Sequence, residues 1–89
     1  MYTQTRTVKS PEFDTVVKFD TVETTSTSSG WKIVGVLDVD VIPKSYNITG
    51  FSYTYRYYDN YQGCEITINY NVLVANVSTM GTRKVKVHI

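Results

Sequence analysis

Apolar and polar residues alternate with a period of two along most of this chain. The clearest run spans residues 31–42, and only Gly35 interrupts its apolar face. The side chains on that face are Trp31, Ile33, Leu37, Val39 and Val41. Such alternation is typical of a strand that is half-buried in an antiparallel sheet. Gly35 indicates a bulge or a sharp bend, at which the strand passes from one sheet to another, and Pro43 ends the strand.

The same period predicts further strands over residues 2–8, 15–24, 51–58, 64–77 and 82–89. The hydroxyl-rich segment 24–30 is predicted to be a loop, and Gly81 to end a turn over residues 78–81. Toward its end the strand 64–77 is apolar on both sides, so we expect both of its faces to be covered there. We therefore predict an all-β fold, a small antiparallel β-sandwich or barrel of about six strands. The 89 residues are expected to form a single β domain, 1–89.

A short helix near residues 11–17 is the alternative to a strand in the second element. Ser10, Pro11 and Glu12 form a helix-start signal of capping residue, proline and acid. The following residues are rich in β-branched side chains, which lose rotamer freedom in a helix. We favour a strand over residues 15–24, and the pattern alone leaves both structures open for residues 11–22.

The segment 51–77 contains six of the eight tyrosines and is predicted to be a hairpin. One face of its first strand is wholly aromatic and consists of Phe51, Tyr53, Tyr55 and Tyr57. These rings are expected to pack in the core against the apolar face of the next strand, or to lie at a protein interface. Alternatively, they stack single-stranded nucleic acid, a nucleotide or a glycan.

If the aromatic face lies in the core, recognition is left to the polar side of the hairpin and to its turn. The candidate binding residues are Arg56, Tyr58, Tyr61, Glu65, Asn69 and Asn71. Amphipathic tyrosine rings, a guanidinium and amide groups are suited to polar recognition at an exposed surface.

The net charge of +1 argues against a general affinity for nucleic acid, which requires a clear excess of basic residues. Six of the eight acids lie between Glu12 and Asp40, whereas Arg83, Lys84 and Lys86 lie near the C-terminus. This separation is typical of solvated strand faces and protected edges. The alternative is head-to-tail charge pairing between subunits.

Catalytic and metal chemistry find little support in the sequence. His88 is the only histidine and Cys64 the only cysteine, so the chain lacks an evident nucleophile–base pair, and an intramolecular disulfide is excluded. The acids follow no calcium-loop spacing. We therefore expect no enzyme activity, no cofactor and no metal.

The first ten residues contain no apolar segment, so we expect no signal peptide and no membrane anchor. The expected location is the cytoplasm, or a particle assembled in the cell. The expected function is a non-enzymatic protein-binding or assembly subunit, which forms a homo-oligomer through strand edges and its tyrosine-rich face. An accessory or structural protein of a virus or phage would fit this description. The alternative is the ring-stacking module described above.

Overall fold

Six strands and no helix make up the computed structural model, which describes residues 1–89. The strands are β1 (Tyr2–Lys9), β2 (Phe13–Glu23), β3 (Trp31–Pro43), β4 (Ile48–Tyr58), β5 (Gly63–Val74) and β6 (Val77–His88). They form two antiparallel three-stranded sheets, the first with the order β1-β2-β3 and the second with the order β4-β5-β6. The predicted all-β fold of six antiparallel strands is confirmed.

The two sheets pack face to face in a sandwich, with β1 opposite β6 and β3 opposite β4. The molecule is a rod with dimensions of 54 × 18 × 18 Å. Its core consists of Phe13, Val17, Phe19, Ile33, Val39, Ile48, Cys64, Ile66, Ile68, Tyr70, Val85 and Val87. The middle strands, β2 and β5, contribute most of this core because each has a hydrogen-bonded neighbour on both sides.

The helix considered for residues 11–17 is wrong, because β2 begins at Phe13 and remains extended to Glu23. Every second residue of β2, from Phe13 to Thr21, is at most 1% exposed. An α-helix repeats every 3.6 residues and would have distributed these side chains around its circumference. Ser10 instead donates its amide hydrogen to the carbonyl of Phe13 at 3.0 Å, closing the turn between β1 and β2.

The bulge predicted near Gly35 is confirmed, and β3 contains two irregularities rather than one. The pairing with β2 skips Val34 and Leu37, so the inward residues Ile33, Val36 and Val39 are spaced by three. The placement of Leu37 on the apolar face is therefore wrong, since each extra residue reverses the alternation. The strand also stays within the first sheet instead of passing to the other.

The turn predicted at residues 78–81 lies instead at Ala75 and Asn76, where φ is 50° and 65°. Two successive left-handed residues make the tight two-residue turn that joins antiparallel strands. Gly81 lies within β6, opposite Tyr70, and the tyrosine ring occupies the space that a Cβ atom would need. The glycine therefore permits a close approach of a ring to the backbone, and it does not mark a turn.

Hydrogen bonds join the two sheets at both ends of the region in which the sheets face each other. At one end, which we call the loop pole, the buried Gln62 side chain accepts from the Ser29 amide at 2.9 Å. In the same region, the Ile33 amide donates to the Tyr61 carbonyl at 2.7 Å. At the other end, the Glu12 carboxylate accepts from the Tyr70 hydroxyl at 2.7 Å and from Arg83 Nε at 2.9 Å.

Candidate interaction surfaces

Most of the sequence-predicted binding residues lie on the outer face of the second sheet. Arg56 pairs with Glu65 across β4 and β5, and its Nε lies 3.0 Å from the carboxylate. Lys86 Nζ lies 4.0 Å from the other carboxylate oxygen. The hydrogen bond from Arg56 lowers the pKa of Glu65 despite the opposing effect of burial. The carboxylate of Glu65 is therefore occupied by partners within the chain.

Tyr58 lies at the end of this face, with its ring over Gly63. Lys86 Nζ lies 5.3 Å from the centroid of the Tyr58 ring, and the His88 ring lies 5.9 Å away. His88 Nε2 is 2.8 Å from the Asp59 carboxylate. The carbonyl of Ile89 and this carboxylate raise the pKa of His88. These contacts hold the C-terminus against the β4–β5 turn.

The remaining predicted binding residues are separated from this cluster. Asn69 accepts a hydrogen bond from the Thr82 hydroxyl at 2.9 Å, and Asn71 lies against Gly50. Both lie farther along β5, toward the end of the rod that is opposite the loop pole. Tyr61 contacts Tyr57, which belongs to the inward face of β4. The structure thus brings together Arg56, Tyr58 and Glu65, and binding by these residues stays a prediction.

The aromatic residues of β4 share a face with the core but are only partly covered. Tyr53 pairs with Ile68 and Tyr55 with Ile66, as the strand pattern predicts. Nevertheless, Tyr53 is 44% and Tyr55 is 45% exposed, whereas Phe51 and Tyr57 pack against the core. β4 is an edge strand, and the bulged β3 opposite it covers its aromatic face incompletely.

Three tyrosine rings follow one another toward the loop pole. The centroids of Tyr55 and Tyr57 are 5.8 Å apart, and those of Tyr57 and Tyr61 are 5.2 Å apart. Burial, followed by the neighbouring Tyr55, raises the pKa of Tyr57, so its hydroxyl stays protonated at neutral pH. A hollow of about 210 Å³ lies beside the rings and is lined by Lys32, Ile33, Val34, Tyr57 and Tyr61.

The local backbone explains how Tyr61 reaches this position. Asp59, Asn60 and Tyr61 all have positive φ, at 54°, 55° and 64°. This conformation is unfavourable for a tyrosine, and such strain persists only where surrounding contacts hold it. Here the hydrogen bond from the Ile33 amide to the Tyr61 carbonyl fastens the turn to β3.

We call the strip along the free edges of β3 and β4 the tyrosine surface. It is defined by five exposed side chains and the partly covered ring of Tyr57, the exposed ones being Val34, Leu37, Tyr53, Tyr55 and Tyr61. Sequence reasoning missed Val34 and Leu37 as members, because it assigned them by strict alternation. The signal that could have identified them is Gly35, since a bulge places extra residues on the exposed edge.

A second apolar surface lies at the opposite end of the rod. Phe13 begins β2 and packs against Tyr70, with ring centroids 5.3 Å apart, whereas β5 continues to Val74. We call residues 73–80 the arm. Its exposed apolar side chains are Leu73 (50%), Val74 (60%), Val77 (62%) and Met80 (82%). The expectation that both faces of the strand are covered here is wrong, because the first sheet ends before the arm does.

Two further observations bear on chemistry. Burial raises the pKa of the Cys64 thiol to about 11, so little of the nucleophilic thiolate exists at neutral pH. The structure contains no group of three or more His, Cys, Asp and Glu side chains placed to hold a metal ion. None of the elements is an apolar helix of the length that spans a bilayer.

No protein-family model matches the chain, and searches of curated proteins and of solved structures gave no match.

Proposed function

We propose that this chain is a non-enzymatic assembly subunit that forms a homo-oligomer through the tyrosine surface. One observation carries the proposal. Two strand edges without hydrogen-bonded neighbours, those of β3 and β4, lie on the same side of the sandwich. Large apolar side chains along these edges are 44–53% exposed, namely Val34, Leu37, Tyr53, Tyr55 and Tyr61.

Both components of this surface favour contact with another protein. Unpaired strand edges offer rows of backbone donors and acceptors to an approaching chain. Tyrosine is enriched at protein interfaces because its ring is apolar while its hydroxyl can stay hydrated. Tyr53, Tyr55 and Tyr61, each about half exposed, together offer roughly 300 Å² of ring surface. Exposed apolar patches of about 300–600 Å² on a monomer are often functional.

Ring stacking is the second candidate function, and the sequence of close rings from Tyr55 to Tyr61 favours it. The ring planes, however, are inclined by 68° between Tyr55 and Tyr57 and by 40° between Tyr57 and Tyr61. Rings inclined by these angles do not form one flat platform on which successive bases could stack in parallel. In addition, the guanidinium of Arg56, which would be suited to contact a phosphate, points to the opposite face of the sheet. These features favour assembly over stacking.

Sedimentation equilibrium over a range of protein concentrations tests the proposal. The wild-type mass is expected to rise to a multiple of 10.1 kDa. The double substitution Tyr53→Ser/Tyr55→Ser should weaken association by roughly 100-fold, since each lost hot-spot contact costs about 1–2 kcal/mol. Tyr2→Ser is the matched control, because Tyr2 is 60% exposed on the opposite edge strand β1.

A wild-type chain that remains monomeric at millimolar concentration would contradict the proposal. Unchanged association of the double variant would also contradict it. If the monomer binds a single-stranded oligonucleotide or a glycan and the double variant does not, the stacking function replaces assembly.

A further inference from the structure

We infer that the arm of one copy docks on the tyrosine surface of a second copy, so that the subunits associate head to tail. This inference rests on the proposed function and names the segment that occupies the surface. Four exposed aliphatic side chains project at one end of the rod, and the hollow beside Tyr57 and Tyr61 lies at the other.

The arm is built as a contact surface without charge. The segment 66–82 contains no Asp, Glu, Lys or Arg. Depletion of charge is characteristic of the centre of protein interfaces, where charged groups would have to lose their hydration. The tight turn at Ala75 and Asn76 closes the arm, and the Leu73 amide donates to the Asn47 carbonyl at 2.9 Å. The arm is therefore a closed hairpin whose two strands pair with each other up to the turn.

The exposed areas of the two surfaces match each other and match what a stable contact needs. The four aliphatic side chains of the arm and the neighbouring Tyr46, which is 97% exposed, offer roughly 450 Å² of apolar area. The tyrosine surface offers roughly 400 Å² when Val34 and Leu37 are added to the rings. A standard interface buries about 800 Å² per partner, of which somewhat more than half is apolar.

The shapes of the two surfaces favour a contact between an arm and a hollow over a contact between two arms or between two hollows. The arm tip is convex and the hollow beside Tyr61 is concave, with a volume of about 210 Å³. Two hollows placed together would enclose a void, and two tips would touch over a small area. The polarizable thioether of Met80 also suits contact with tyrosine rings.

The long axis excludes a contact within one molecule. β5 runs from the β4–β5 turn to the arm, so the arm and the hollow lie toward opposite ends of a rod that is 54 Å long. The contact must therefore join two copies, through a different surface on each. Contacts of this heterologous type repeat from copy to copy and generate a ring or a linear filament.

Mixing two complementary variants tests the inference. The arm variant is Val77→Asp/Met80→Glu, and the surface variant is Tyr55→Asp/Tyr61→Asp. Aspartate tolerates the positive φ of position 61, so the turn should be preserved. Each variant alone is expected to be monomeric in sedimentation equilibrium. An equimolar mixture is expected to form a 1:1 heterodimer, in which the intact arm of the surface variant docks on the intact tyrosine surface of the arm variant. The heterodimer should grow no further, because its other arm and its other surface are both mutated.

The outcomes separate this inference from the proposed function. A monomeric wild type overturns both. A wild type that associates, with an arm variant that associates equally well, overturns the inference alone, as does a mixture without heterodimer. If the arm variant lacks a cooperative unfolding transition, Met80→Ser replaces it, and wild-type association of Met80→Ser overturns the inference. Arm-dependent binding of the monomer to phosphatidylcholine vesicles would assign the arm to a lipid surface and overturn it as well.

Discussion

β2 and β4 are strands of eleven residues each. Their sequences suggest that β4 is the more buried of the two, and the structure shows that β2 is. β2 places threonine at two of its five inward positions, and all five are at most 1% exposed. β4 has an almost continuous aromatic face, and Tyr53 and Tyr55 on that face are 44% and 45% exposed. The difference comes from position in the sheet, since β2 is a middle strand and β4 is an edge strand.

This comparison shows that composition alone does not identify the core of a small sandwich. A threonine on a middle strand is covered by its neighbours on both sides, whatever its polarity. A tyrosine on an edge strand is covered only as far as the opposite sheet reaches. Because its hydroxyl can bond to water, exposure of the rest of the ring costs little free energy. Residues that resemble a core can therefore be available for binding.

The largest difference in unfolding free energy between the two strands is expected when one aromatic ring is truncated in each. Phe19→Ala removes a fully buried ring and should destabilise the fold by about 3–5 kcal/mol, a large part of the stability of so small a domain. Tyr53→Ala removes a half-exposed ring and should cost about 1 kcal/mol or less. Urea unfolding at low protein concentration measures both, and equal costs would refute the contrast between the strands.

A second pair of substitutions tests the irregularities of β3, which leave β4 uncovered. Val36 points inward and Leu37 is 52% exposed. Val36→Asp should destabilise by about 2–3 kcal/mol because it buries a carboxylate beside the core. Leu37→Asp should change stability by about 0.5 kcal/mol or less. The same unfolding experiment measures both variants. If Leu37→Asp destabilised the fold more than Val36→Asp, β3 would follow the regular alternation that the sequence suggested.

The next effect concerns Glu12, which anchors the start of β2 to the second sheet. Burial alone would raise the pKa of Glu12, but the hydrogen bonds from Arg83 and Tyr70 outweigh it and lower the pKa. A lowered pKa in the folded state means that the stabilisation is present above the ordinary value of 4.5 and is lost as the pH falls through the folded value.

Glu12→Gln should therefore destabilise the protein by about 1–2 kcal/mol at pH 7, and its effect should become smaller as the pH falls below 4.5 toward about 2. Unfolding curves recorded over this pH range check the prediction. An equal loss at both ends of the range would mean that charge is not responsible. Glu23→Gln, at the other end of β2 and exposed, is the control and should behave like the wild type throughout.

The smallest expected effect concerns the two most buried threonines of β2. The Thr15 hydroxyl is buried and has no hydrogen-bond partner, whereas the Thr21 hydroxyl donates to the Tyr2 carbonyl at 3.1 Å. Thr15→Val should stabilise the fold by about 1 kcal/mol, since it removes an unsatisfied polar group at constant shape. Thr21→Val should destabilise it by a similar amount. Thermal unfolding measures both changes in stability. A shift of the melting temperature in the same direction for both variants would contradict this account.

The periodicity of the sequence was sufficient to predict six strands, because each strand alternates over most of its length. The sequence was not sufficient where one extra residue changes the alternation, as at Val34 and Leu37. It also misplaced the β5–β6 turn, since Ala75 lacks the conformational preference for positive φ that identifies such turns in a sequence.

The candidate surfaces were predictable only in part, for a different reason. The tyrosine-rich hairpin was conspicuous, but the exposure of Tyr53 and Tyr55 depends on which strand lies opposite and how far it extends. The arm likewise becomes exposed because β2 begins at the level of Tyr70. Both facts follow from the lengths of strands that are distant in sequence, which no local pattern records.

The connectivity of the fold has one further consequence. All hydrogen-bonded strand pairs join neighbours in sequence, and residues 44–47 form the only covalent link between the two sheets. Each sheet is therefore a contiguous half of the chain, and the two halves are held together by the shared core and by the hydrogen bonds between the sheets. A molecule organised in this way can be divided within residues 44–47 into two fragments whose inner faces are complementary, so the fold is in effect a complex of two peptides tethered by a short linker.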